Sequence, residues 1–180
     1  MPTATSAQPE SPVWSDTTVD EFLQDTLSWC RDLFEKEEAL PPVAIVLSRI
    51  DPRTNMPAEV ALVMYPESGL SEETKDLFTA KVARTAKQTS AAGVILALET
   101  WQVTAEPNED VSQWAGRVQV YRLREEGISG SLETSRRGTR TWRAIITRSS
   151  DDSPTLGPWE GGEFLKSVTG RFTHLLPECN

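Results

Sequence analysis

The stretch GVILALETWQV, residues 93–103, is apolar at every position from Val94 to Leu98. Successive side chains of a β-strand point to opposite faces of its sheet, so a strand without alternation must be buried on both faces. The stretch therefore predicts a central strand. It also requires that other parts of the chain cover both sides of the sheet.

Two further apolar runs, VAIVLSRI (43–50) and EVALVMY (59–65), lie ahead of this strand and are separated by DPRTNMPA. Prolines and an asparagine are typical of turns, so the two runs predict an antiparallel hairpin. The segments GRVQVYRLR (116–124) and RTWRAIITR (140–148) alternate or are mixed, and both are expected as strands nearer the edges. The pattern predicts a mainly antiparallel sheet of five strands, joined after residue 103 by polar loops.

Two long helices are predicted around this sheet. The first, over 18–40, begins with a capping box at Thr18 and ends before two prolines. The second, over 71–93, begins with Ser71 as a cap and is expected to end on Gly93. Helices combined with a mainly antiparallel sheet place the chain in the α+β class.

A single domain is expected over residues 15–180, preceded by a flexible tail over 1–14 and ending in a short helix over 163–172. The three most apolar strands need cover on both faces, whereas the chain offers two long helices. Either these helices lie on opposite faces, or the C-terminal segment or a second copy of the chain covers one face. Self-association is therefore expected.

The composition is that of a soluble globular protein, with 25% charged residues and a formal net charge of -9. No signal peptide and no apolar run long enough to span a membrane are predicted, which favours a cytoplasmic location. Cys30 is expected to be buried on the first helix, whereas Cys179 is the penultimate residue. Two cysteines do not indicate a disulfide scaffold.

Most catalytic motifs are missing from the sequence. His174 is the only histidine, which excludes a metal site built on two histidines. Neither a phosphate-binding loop nor a nucleophile elbow occurs. The sequence therefore predicts no metal and no cofactor, and it favours a protein without catalysis.

Glu99 is the polar residue best placed to be catalytic, because it lies at the end of the strand that is expected to be buried on both faces. A catalytic cluster with Asp51 and Arg49 requires that the strand ends carrying these residues are adjacent. The alternative, which we favour, is a structural ion pair between Glu99 and an arginine such as Arg124 or Arg143.

Arginines are concentrated in TSRRGTRTWRAIITR, residues 134–148. Strand alternation directs Arg143 and Arg148 to opposite faces, so these two are expected to pair with acids of the same fold. The turn before the strand is expected to hold Arg136, Arg137 and Arg140. This turn is a candidate contact for nucleic acid, although the acidic chain opposes nonspecific binding to a polyanion.

Six tryptophans are many for this length, and tryptophan occurs both in cores and at interfaces. Those on predicted helices or strands are expected in the core: Trp29, Trp101 and Trp142. Those in irregular segments are candidates for contact with another protein: Trp14, Trp114 and Trp159.

Three functions follow, in order of preference. The first is a non-catalytic interaction or assembly protein that binds itself or a partner protein through an apolar sheet face. The alternative is a nucleic-acid-associated module that uses the arginine-rich turn 136–143. The second alternative is a small enzyme that uses Glu99, Asp51 and Arg49.

Overall fold

The computed structural model describes residues 16–51, 53–54, 56–57, 59–65, 71–102, 125–134, 138–149, 153–165, 172 and 174–176. Within these ranges lie two helices, α1 (Asp16–Glu37) and α2 (Glu72–Gln88). The strands are β1 (Val43–Ser48), β2 (Ile50–Asp51), β3 (Met56–Pro57), β4 (Val60–Met64), β5 (Ala91–Gln102), β6 (Glu125–Thr134), β7 (Gly138–Thr147), β8 (Thr155–Leu156) and β9 (Glu160–Leu165).

The main sheet has the strand order β4-β1-β5-β6-β7, and both β8 and β9 pair with β7. Its ladders are antiparallel. The α+β class with two long helices and a mainly antiparallel sheet is therefore confirmed. The predicted count of five strands is too low, because the described part of this sheet has seven. A separate pair, β2 and β3, lies between β1 and β4 along the chain.

β5 is a central strand, as its apolar run predicts. Ile95 pairs with Ile45 of β1 on one side and with Leu132 of β6 on the other. The predicted hairpin is confirmed as well, because β1 and β4 pair antiparallel with Ile45 opposite Leu62.

The two helices cover opposite faces of the sheet, which is the first of the two alternatives raised by the sequence. Leu27 of α1 packs in one core with Ile95 of β5, whereas Phe78 of α2 packs in another with Leu96. The α1 cores include residues of β1, β5, β6, β7 and β8, and the α2 core includes residues of β4, β1 and β5. Among the described residues, those of β4 belong to the α2 core and not to the α1 cores.

β6 is an unexpected strand. Its sequence, EEGISGSLET, is predicted as part of a loop, since glycine and serine disfavour strands. In the structure Ile128 and Leu132 are buried on the α1 face, and Gly130 lies between them. A Cβ atom on Gly130 would lie 3.4 Å from the Leu27 Cδ2 atom, at van der Waals contact, so this glycine lies directly against α1. The predicted strand 116–124 lies outside the described residues.

The predicted ends of the helices are partly wrong. Ser71 caps α2 as expected, and its side chain accepts a hydrogen bond from the Thr74 backbone N–H. α2 then ends at Gln88, and Gly93 lies inside β5 because the strand starts as soon as the chain reverses after Ser90, whose φ is 49°. α1 starts at Asp16, two residues before the predicted cap.

The C-terminal helix predicted over 163–172 is wrong at its beginning. Residues up to Leu165 belong to β9, where pairing with β7 overrides the local helical pattern. Of the remainder of that segment, only Phe172 is described, and its ring packs edge-on against Phe78 of α2. β7 begins at Gly138, so Arg140 is a strand residue and does not belong to the turn.

Cys30 is buried on α1, as predicted, and burial raises the pKa of its thiol to about 12. Cys179 and the tail over 1–14 lie outside the described residues. None of the helices in the described ranges combines the length and the apolar character needed to cross a membrane.

Candidate protein-interaction surface

β4 forms one edge of the main sheet. Among the described strands it pairs with β1 alone. Val63, which faces α2, is 3% exposed, whereas the residues of the other face are largely open: Val60 47%, Leu62 54% and Met64 36%. We call these three residues the β4 strip. Neighbouring exposed apolar side chains on a strand are candidates for contact with another protein.

The backbone N–H and C=O groups of the same three residues point away from β1, toward the open edge of the sheet. Hydrogen bonds join Tyr65 N to Pro42 O at 3.1 Å and Ser48 N to Glu59 O at 3.0 Å. In an antiparallel ladder the bonded pairs alternate with pairs whose N–H and C=O groups point away from each other. The register places the β4 strip at the non-bonded positions, so its backbone donors and acceptors point away from β1.

Chain segments around the β4 strip do not bury it. Its neighbours on β1 are Leu47, Ile45 and Val43, at the border of the region that α1 covers. The opposite face of β4 is packed, since Val63 lies in the core with Phe78 of α2. β4 itself carries no charged residue, in a chain with a net charge of -9. The result is a well-anchored edge strand with one open apolar face.

Glu99 is held in a network at the end of α1. Its carboxylate accepts a hydrogen bond from the Leu40 backbone N–H at 2.6 Å and lies 3.9 Å from the Arg148 guanidinium. Burial raises the pKa of Glu99, and the Leu40 hydrogen bond and the Arg148 charge oppose that shift. Arg148 itself makes two 2.8 Å hydrogen bonds to Glu126. Neither Arg148 nor Glu126 was among the partners expected for Glu99.

The structure does not bring Asp51 and Arg49 to Glu99. β1 runs antiparallel to β5, so Val43 lies opposite Ala97 and Ser48 lies opposite Ala91. Asp51 and Arg49 follow Ser48, which places them at the other end of β5, where the rise from Ala91 to Glu99 is roughly 25 Å. Asp51 instead pairs with Arg53 at 3.2 Å, and these hydrogen bonds lower the pKa of the Asp51 carboxyl.

Arg140 is built into the fold. Its guanidinium donates to Asp20 of α1 at 2.6 Å, and its Nε donates to the Gly162 carbonyl at 2.7 Å. It also lies over the rings of Trp142 and Phe164, 4.9 Å and 5.1 Å from their centroids. The other strand arginine, Arg143, lies 3.3 Å from Glu160. Both Arg136 and Arg137 lie outside the described residues.

The tryptophans divide differently from the prediction. Trp142 is buried and Trp29 packs against the α1 core, but Trp101, expected in the core, is largely exposed at the end of β5. Trp159, predicted as a contact residue, packs against both α1 cores, and its buried indole N–H has no hydrogen-bond partner among the described residues. Two further contact candidates, Trp14 and Trp114, lie outside the described residues.

The β4 strip was not singled out from the sequence. A signal was present, because EVALVMY is apolar on both faces and therefore needs cover on both. What the sequence did not reveal is which strand forms the edge and which face α1 leaves open.

The chain matches no protein-family model, and no curated protein or solved structure matches it either. Within the described ranges, no three His, Cys, Asp or Glu side chains are grouped so that they could hold a metal ion.

Proposed function

We propose that this protein is a protein-interaction module that binds a β-strand of a protein partner along the edge of β4. The observation that carries this proposal is the coincidence on the β4 strip of outward backbone groups with exposed apolar side chains. In strand addition, the main-chain hydrogen bonds supply affinity and the alternate side chains supply specificity. The β4 strip offers both on the same three residues.

The absence of protection on β4 supports the proposal. Edge strands that must stay unpaired usually carry lysines, prolines, bulges or inward charges that prevent pairing with another chain. β4 has a regular register with β1 from Val60 to Met64, and its sequence VALVM contains neither a charge nor a proline. Such a strand is suited to accept a partner.

A role without catalysis is supported by the polar residues of the described chain. Glu99 is engaged by Leu40 and Arg148, and Asp51 lies at the other end of the sheet. Arg140 is engaged by Asp20 and by the Gly162 carbonyl, which reduces its availability for a phosphate. These side chains serve the fold, so the β4 strip remains the best candidate for an external contact.

The test uses a synthetic heptapeptide of alternating valine and threonine, a strand-forming probe, titrated into the isotope-labelled protein. We expect amide resonance shifts centred on Val60, Leu62 and Met64 and protection of these amides from hydrogen exchange. Leu62→Asp should abolish both effects. The matched control is Leu77→Asp on α2, because Leu77 is 55% exposed and Leu62 is 54% exposed. Shifts that survive in Leu62→Asp, or that are absent from β4 at millimolar peptide, contradict the proposal.

A further inference from the structure

We infer that the strand accepted by β4 is β4 of a second copy of this chain, paired antiparallel about a two-fold axis through Leu62. This inference rests on the proposed function and names the partner of the same surface. It is carried by the spacing of the outward backbone groups, by the match of the side chains, and by the charge distribution of the two sheet edges.

The spacing makes β4 complementary to itself. The outward N–H and C=O groups belong to Val60, Leu62 and Met64, which are symmetric about Leu62. Antiparallel pairing that sets Leu62 opposite Leu62 of the second copy, and Val60 opposite Met64, puts all of them at bonded positions. If the register shifted by one residue, N–H and C=O groups that point toward β1 would stand at the positions that must bond to the second copy. If it shifted by two residues, part of the β4 strip would have no residue opposite it.

The side chains also match in this register. Directly opposite residues on an antiparallel pair lie on the same face and contact each other. The two Leu62 side chains would meet at the axis, and the β-branched Val60 would meet the longer and flexible Met64 of the other copy. The main sheet would continue through both molecules, with both α1 helices on one side and both α2 helices on the other.

Charge and register favour pairing of β4 with β4 of the second copy over pairing of β4 with β9. An uncharged strip is the part of an acidic chain that a second copy can approach with least repulsion. β9, beside β7, carries Glu160 and Glu163 and has a shifted register with β7, so it is a poor partner for the regular β4. Pairing β4 with β9 would in addition leave one edge open on each copy and build a chain of molecules.

The size of the surface predicts a weak and reversible dimer. Three partly exposed side chains per copy fall well below the roughly 800 Å² per partner of a standard interface. We therefore expect a dissociation constant between about 10 µM and 1 mM, the range of weak complexes.

The register is tested by disulfide formation in the Cys179→Ser background, where the remaining Cys30 is buried and inert. Leu62→Cys should cross-link to itself, since bonded pairs have Cα atoms about 5.5 Å apart, within disulfide range. Val60→Cys alone and Met64→Cys alone should not cross-link, because each lies roughly 13 Å along the strand from its own copy. An equimolar mixture of these two variants should cross-link.

The affinity is tested by sedimentation equilibrium of the full chain. Leu62→Asp sets like charges opposite each other at the axis and should weaken the dimer about tenfold or more. Leu77→Asp should leave it unchanged, and circular dichroism should confirm that both variants fold. A wild-type chain that stays monomeric at 1 mM overturns the inference, as does cross-linking of Val60→Cys alone at the rate of the mixture. A monomer that still binds the valine–threonine peptide at β4 overturns this inference alone, whereas a monomer that binds no peptide overturns the proposed function with it.

Discussion

β4 and β9 both lie at edges of the main sheet, but they differ in the regularity of their pairing and in their contacts with the rest of the fold. β9 contains Gly161 and Gly162, both with φ of 106°, and its register with β7 is irregular. It is tied to the body by Arg140, which joins α1, β7 and β9 through Asp20 and the Gly162 carbonyl. β4 has a regular ladder, and within the described ranges it is held by β1 and the α2 core.

The contrast indicates that the two edges have different roles. Bulges and charged residues on an edge oppose the addition of another strand, and β9 has both. β4 is held firmly from one face and left open on the other. We therefore expect substitutions near β9 to act on folding stability, and substitutions on the β4 strip to act on association.

The largest effect is expected for Gly161→Ala. A Cβ atom there would lie 2.6 Å from the Thr141 carbonyl oxygen, and the φ of 106° is strained for any residue with a side chain. We expect the free energy of unfolding to fall by about 3 kcal/mol, measured by urea denaturation. The control is Gly93→Ala in β5, where the nearest atom is 3.6 Å away. Equal losses in the two variants would contradict the strain at β9.

Arg140→Met should have the next largest effect. The substitution removes the hydrogen bonds to Asp20 and to the Gly162 carbonyl together with the stacking on Trp142 and Phe164. We expect a loss of about 2 kcal/mol in the free energy of unfolding. The control is Arg53→Met, which removes an exposed ion pair and should leave the free energy of unfolding nearly unchanged. A loss at Arg140 as small as that of the control would show that this arginine does not stabilise the β9 edge.

A smaller effect, this time an increase in stability at pH 7, is expected for Glu99→Gln. Because burial raises the pKa of Glu99 above its ordinary value of 4.5, the folded state favours the protonated form. Glu99→Gln keeps an acceptor for the Leu40 N–H and removes the buried charge. The variant should therefore be more stable than wild type at pH 7. This advantage should shrink as the pH falls through the raised pKa of Glu99 in the folded state, and it should be lost below about 4.5, where Glu99 becomes protonated in the unfolded state as well.

Thermal unfolding between pH 4 and pH 7 measures this difference. The matched control is Glu126→Gln, which loses a paired charge and one of the two hydrogen bonds from Arg148 and should be destabilising at pH 7. If both glutamine variants are destabilised at pH 7, the charge of Glu99 stabilises the fold and the pH argument is wrong.

The smallest effect on stability is expected on the β4 strip itself. Leu62→Thr replaces an exposed side chain by another that favours strands, so the free energy of unfolding should change by no more than about 0.5 kcal/mol. Val63→Thr, which places a hydroxyl group in the α2 core, should cost about 1–3 kcal/mol. Denaturation of both variants checks the contrast, and a large loss at Leu62 would mean that the strip serves folding.

Much of the fold was predictable from local patterns. The run from Val94 to Leu98 predicted a central strand, and the turn residues between the first two strands predicted their hairpin. Ser71 predicted the start of α2 because a cap acts within one turn of helix. β6 was not predictable in the same way, since its Ile128 and Leu132 become core residues only through their packing against distant segments such as α1.

The polar residues were harder to place than the apolar ones. The arginine partners suggested for Glu99 did not include Arg148, although a structural ion pair was the preferred interpretation. The local sequence places Arg140 in a turn, since nothing in it marks Gly138 as the first residue of β7. Pairs such as Arg140 with Asp20 join residues far apart in the chain, so no local pattern reveals them.

The sequence by itself determined the class of fold, the central strand, the first hairpin and the two helices, because periodicity, caps and turns act between near neighbours. Only the tertiary structure decided that β4 is an edge, that its described residues lie outside the α1 cores, and that Glu99 lies far from Asp51. These features depend on the order of strands and on the offset of two helices across the sheet. Both are set by packing among distant segments, which is also what leaves the β4 strip open.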